Sequence, residues 1–146
     1  KVIVLIIKER PEFIQLEDNE MIINYLCIYL NSEKTKFNIK ETILNAVEPL
    51  FLNENYLIIE KFLNNGFLEI SSLFLESSNS KLCISLILIF HKIFSIYCDN
   101  DIIINKMINL GIFDSISNLV SSENESISLN AKRFMDEVIT KNLKKD

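Results

Sequence analysis

The chain has 146 residues, 49% hydrophobic and 24% charged, with a formal charge of −5 and only two glycines and two prolines. Such a balance suits one folded domain with a substantial core, excludes disorder as the main state, and argues against an all-β domain, whose turns consume Gly and Pro. The acidic charge argues against nucleic-acid binding through phosphate neutralisation; Lys132, Arg133, Lys141, Lys144 and Lys145 read as a solvated helix end instead.

The first phrase, "KVIVLIIK" (1–8), reads as the end of a helix from a preceding unit. Its apolar side wants a neighbour, so the chain is expected to begin inside a longer array. It has no initiator Met and no small-residue cleavage site, so it does not read as a signal peptide. "ERPEFIQLEDN" then fits a short first helix, with Pro11 tolerated in a first turn, and "MIINYLCIYLN" fits a second. A long third helix is expected over about 33–52.

The order then repeats. "NENYLIIEKFLNNG" and "DNDIIINKMINLG" are first helices, each opening on Asn or Asp as N-cap and stopping at a glycine suited to the left-handed C-terminal conformation. "FLEISSLFLES" and "IFDSISNLVSS" are second helices, and third helices follow at about 79–97 and 124–143. In the middle one Leu82, Leu86, Ile89 and Ile93 recur at helical spacing, as a buried face requires. Gly66 and Gly111 are 45 residues apart, and in the same register Lys61 meets Lys106, Asn64 meets Asn109, Leu68 meets Phe113 and Phe74 meets Leu119. Met21 holds the glycine's place in the first copy, so that turn is expected to be looser. The glycines punctuate the repeat, where a side chain would obstruct the fold-back; a phosphate loop would need several of them. A period in the forties in a helical chain signals stacked helical units, each burying its apolar face against its neighbours.

The fold expected is therefore all-α, a right-handed α-solenoid of about three three-helix units. The whole of 1–146 is one repeat domain: 1–8 ends a preceding repeat, and 9–53, 54–98 and 99–146 follow. Helices in this order and at this period look like armadillo repeats; the two-helix HEAT repeat is the alternative.

Signs of chemistry are few. His91 is the only histidine, which excludes most zinc sites, and no GxSxG, P-loop or kinase phrase occurs. Cys83, His91 and Cys98 roughly share a helix face but read as packing and surface residues rather than as a nucleophile or metal site. No enzyme activity and no cofactor are expected. Three cysteines without a CxxC pair read as free thiols of a cytoplasmic or nuclear protein, and no apolar run reaches the roughly 20 residues of a membrane span. Partner contacts should come from the exposed faces of the third helices, and comparing their registers nominates Leu44 and Glu48, Leu88 and Lys92, and Arg133 and Glu137 as groove residues.

The stretch from "LNSEKTKFNIKETILNAVEPLF" to "ISLILIFHKIF" resembles the later repeats of the importin-α family, armadillo adaptors of nuclear import. "MINLGIFDSISNLVSSENESISLNAKRFMDEVI" is similar to that family's last repeat. The resemblance implies a non-catalytic protein-binding segment, with a protein or peptide in the concave groove and a late-repeat surface for the export receptor or nucleoporins. It also implies that the Trp and Asn that hold a basic localisation signal fall at Leu44 and Glu48, and at Leu88 and Lys92. The chain has no Trp, leucine offers no π face to a cation, and Lys92 repels a basic peptide, so that peptide is not expected to bind in the family's way. The alternative function is an armadillo scaffold or autoinhibitory region of a cytoskeletal or signalling regulator.

Overall fold

The computed structural model describes residues 20–145, with side chains over 21–142. Among them the secondary structure is helical throughout: α1 (Glu20–Asn31), α2 (Phe37–Leu52), α3 (Tyr56–Asn64), α4 (Phe67–Ser72), α5 (Ser80–Tyr97), α6 (Asp101–Asn109), α7 (Ile112–Leu119) and α8 (Glu125–Lys145). The expected all-α class holds. The leading phrase and the "ERPEFIQLEDN" helix lie outside the described residues, as does the turn before Met21, which itself sits inside α1.

The chain divides into two compact units, Lys1–Ser71 and Ser72–Asp146, and the boundary falls inside the expected 54–98 repeat. In the first unit α1, α2 and α3 pack on one another. α1 contributes Ile23, Leu26, Cys27 and Leu30, a stripe at three- and four-residue spacing that is buried throughout. Three rings tie the helix ends together: Phe51 of α2 lies 5.4 Å from Phe62 of α3 and 4.7 Å from Phe67 of α4, and Phe62 and Phe67 meet edge-on at 5.6 Å. Each ring is fully or almost fully buried, a contribution of about 1.5–3 kcal/mol per side chain from area alone. α2 begins four residues later than the pattern suggested, after an extended Lys36 that offers no side-chain cap.

In the second unit α5 packs on α6 and α8, and α7 packs on α6 and α8. Phe94 of α5, Phe113 of α7 and Phe134 of α8 have ring centroids 5.8 Å apart in each pairing. α5 is 18 residues with a mean hydropathy of 1.5, long and apolar enough by length and composition alone to cross a membrane, although none of its uninterrupted apolar runs is long. Half of that window is buried inside the fold, because apolar residues occupy several of its faces rather than one.

Helix starts show why the sequence breaks where it does. Asn55 Oδ1 accepts from Ile58 N and Asn100 Oδ1 from Ile103 N, capping α3 and α6. Asn79 Oδ1 accepts from Leu82 N and Asn124 Oδ1 from Ile127 N, capping α5 and α8. Ahead of the last two, Ser77 Oγ accepts from Asn79 N and Ser122 Oγ from Asn124 N, both at 3.1 Å. The order Asn–Gly–Asn, at 55, 66 and 79, returns at 100, 111 and 124 with unchanged spacing.

Both glycines adopt the left-handed conformation expected of them, Gly66 at φ 82° and Gly111 at φ 73°. The reason differs from the crowding the sequence suggested. A Cβ on Gly111 would meet nothing within 4 Å, and one on Gly66 would lie 3.4–3.5 Å from the side-chain ends of Glu69 and Asn31, an ordinary contact distance. Glycine is there for its backbone angle, which L-residues reach only at a cost.

Candidate functional site

The third helices carry the candidate site, and the second unit shows its best-defined part, on α5 and α8. Helix α5 leaves Ile84, Leu88, His91 and Lys92 half-buried and Ser95 exposed along one stripe. Helix α8 buries Ile127, Ala131 and Phe134 and exposes Arg133 beside them. Glu137 joins the two helices: its Oε2 accepts from Ser95 Oγ at 2.8 Å and lies 2.5 Å from His91 Nε2. The His91 and Phe134 rings stand nearly perpendicular with centroids 5.6 Å apart, and Ser95 Oγ is also 3.0 Å from the His91 carbonyl.

These three side chains resemble a Ser–His–acid set in composition but not in order. Catalysis needs the imidazole between hydroxyl and carboxylate, so that it takes the hydroxyl proton. Here the carboxylate stands in the middle and accepts from both. The arrangement fastens two helices; it does not activate a nucleophile.

The nominated residues separate under this geometry. Leu44 is 0% exposed and faces no partner. Its assignment to the groove is corrected by the 45-residue register, which aligns Leu44 with Ile89 and Phe134, both also fully buried. The residue matching Leu88 and Arg133 is Ile43, itself 4% exposed. Leu44 and Leu88 are 44 residues apart, one short of the repeat, and one residue is enough to turn a helix position from surface to core. Glu48, Leu88, Lys92 and Glu137 are half-buried, and Arg133 is exposed. Sequence reading missed His91 and Ser95 as the partners of Glu137. The signal available was their separation from it, 42 residues for Ser95, close to the repeat length.

The cysteines are free thiols with structural surroundings. Cys83 is buried, and its Sγ lies 3.6 Å from the Leu75 carbonyl; burial pushes its thiol up. Burial also pushes the Cys27 thiol up, to about 11, so at neutral pH neither is the thiolate that nucleophilic attack or metal binding requires. Among the described residues no group of three or more His, Cys, Asp or Glu could hold a metal ion. In the first unit a shallow cleft of about 350 Å³ is lined by Cys27, Ile28, Asn31, Ser32 and Asn65. Its floor is a tether, Asn31 Nδ2 donating to both the Cys27 and Asn65 carbonyls at 2.9 Å.

Comparison of the chain with protein-family models, with curated proteins and with solved structures returns no match.

Proposed function

We propose that this chain is a non-catalytic protein-binding segment of an armadillo-type right-handed α-solenoid. Its partner is a protein or peptide lying along the third helices, as in a divergent importin-α-like transport adaptor. The observation that carries the reading is the pairing of α5 with α8. Ser95–Glu137, His91–Glu137, His91–Phe134 and Phe94–Phe134 each join residues separated by about one repeat length. Contacts at that separation are what third helices stacked at equal height produce. The recurring Asn caps and left-handed glycines support the same reading, since they start and turn the helices at the same spacing in successive copies. Free thiols fit a reducing compartment, cytoplasmic or nuclear.

On this reading the partner meets Leu88 and Lys92 of α5 and Arg133 of α8, beside the Glu137 clasp. A mixed apolar and cationic stripe of this kind does not suit a Lys- and Arg-rich peptide. The test has two arms. Calorimetry with such a basic peptide should show only weak binding; micromolar or tighter binding would overturn the peptide assignment. Proteins retained by the wild-type chain should be lost by a Leu88→Asp, Arg133→Glu variant with an unchanged thermal midpoint. Retention that ignores both substitutions would remove the third-helix surface from the function.

A further inference from the structure

Gly66 and Gly111 close equivalent turns, but the residues before them differ. Asn65 precedes the first and Leu110 the second, so Asn65–Gly66 is the chain's one Asn–Gly pair. A glycine has no side chain to shield its backbone nitrogen, and asparagine is a chemically labile residue whose amide such a nitrogen can attack. Asn65 is exposed and lines the shallow cleft of the first unit, so water reaches it.

Two hydrogen bonds hold that amide back. Asn65 Nδ2 donates to the Lys61 carbonyl at 2.7 Å, which turns the amide over the last turn of α3. Asn31 Nδ2 donates to the Asn65 carbonyl at 2.9 Å and pins the peptide plane between 65 and 66, where Asn65 has ψ 24°. The same Nδ2 donates to the Cys27 carbonyl, which anchors the tether in α1. Attack on Asn65 Cγ needs both restraints to give: the amide has to swing towards Gly66 N, and the peptide plane has to rotate to meet it.

We propose that Asn65 is a self-modification site whose amide closes onto Gly66 N, at a rate set by the tether from Asn31. Gly66 N bonds to Asn65 Cγ, the Cγ–Nδ2 bond breaks, and Nδ2 leaves as ammonia with the proton that Gly66 N gives up. Water then opens the resulting succinimide. Opening at Cγ leaves aspartate; opening at the main-chain carbonyl leaves isoaspartate, with the chain now running through Cβ and Cγ. The second product puts an extra atom into the backbone between α3 and α4, where Phe62 and Phe67 meet edge-on at 5.6 Å. Modification therefore loosens the Phe51, Phe62 and Phe67 cluster from the turn outwards.

Ageing at mildly alkaline pH tests this, read by peptide mapping with chromatography that separates aspartate from isoaspartate. The wild-type chain is aged native and in urea; Asn31→Ala, Gly66→Ala and Val47→Ala are aged native. Wild type should convert at residue 65, more slowly native than in urea. Asn31→Ala should convert about three to ten times faster than native wild type, the factor that loss of one hydrogen bond allows. Gly66→Ala should hardly convert, although its turn is the less stable one. Val47→Ala, which opens a cavity at a 0% exposed position of the same unit, should convert like wild type. Asn31→Leu, which keeps the volume without the donor, is read in the same way should Asn31→Ala not fold. An unaccelerated Asn31 variant, or a native wild-type rate equal to that in urea, would overturn the proposal. Equal acceleration by Val47→Ala would overturn it too, because the fold as a whole and not the tether would then be the brake. Undiminished conversion of Gly66→Ala would rule out the ring closure itself.

Discussion

Cys83 and Ser128, 45 residues apart, make the same hydrogen bond. Cys83 Sγ donates to the Leu75 carbonyl at 3.6 Å, and Ser128 Oγ donates to the Val120 carbonyl at 2.7 Å. Both carbonyls close the break after a second helix, and both donors sit one turn into the third. The thiol is thus a weak stand-in for a hydroxyl. Cys83→Ser should therefore fold normally and keep stability within about 1 kcal/mol, the worth of one such bond. Cys83→Val leaves the Leu75 carbonyl without its donor and should lose about 1–3 kcal/mol. Urea unfolding of the two variants reads the difference; equal losses would mean that the bond is incidental.

Arg133 and Phe134 are neighbours with opposite fates, one exposed and one 0% exposed. Phe134 also meets His91, Phe94 and Phe113. Truncating it to Ala should cost about 3–5 kcal/mol, the usual range for a buried Phe. Arg133→Ala should stay within about 0.5 kcal/mol, as surface changes do. Similar costs at the two positions would show that the one-residue frame correction made for Leu44 is itself mistaken.

How much of this was legible beforehand follows from which physical rule each residue obeys. Helix order, the caps at Asn55 and Asn100 and the left-handed glycines were readable, because each is a local rule of backbone satisfaction with its own residue type. The Leu44 assignment failed because a helix turns about 100° per residue, so a frame error of one residue exchanges core for surface. His91, Ser95 and Glu137 were not grouped, since nothing local marks a hydrogen bond across 42 residues; only the repeat length hints at it.

The two glycines separate backbone strain from crowding. Gly111→Ala should cost about 1–2 kcal/mol from its left-handed backbone alone, because a Cβ there meets nothing. Gly111→Asn should recover part of that loss, since Asn tolerates this conformation. Gly66→Ala should cost about as much, since its backbone is left-handed too and a Cβ would meet Glu69 and Asn31 only at ordinary contact distance. Thermal or chemical unfolding measures all three, and a stabilising Gly111→Ala would contradict the left-handed turn.

Cys27 gives a pH dependence with a defined sign. Burial pushes its thiol from the ordinary 9.0 up to about 11 in the folded chain. The folded state therefore holds the proton more tightly than the unfolded one. The stabilisation linked to that proton is complete below about pH 9 and is lost as pH rises towards 11. Between those values, urea unfolding of the wild type should lose stability faster than unfolding of Cys27→Ala, although the variant starts lower for want of a buried side chain. The comparison of slopes isolates the thiol from every group that the two proteins share. In labelling with iodoacetamide at pH 8, half-buried Cys98 should react well before Cys27, since alkylation needs both access and a thiolate. Parallel slopes together with early labelling of Cys27 would place that thiol in water and would remove the α1 stripe of Ile23, Leu26, Cys27 and Leu30 from the core.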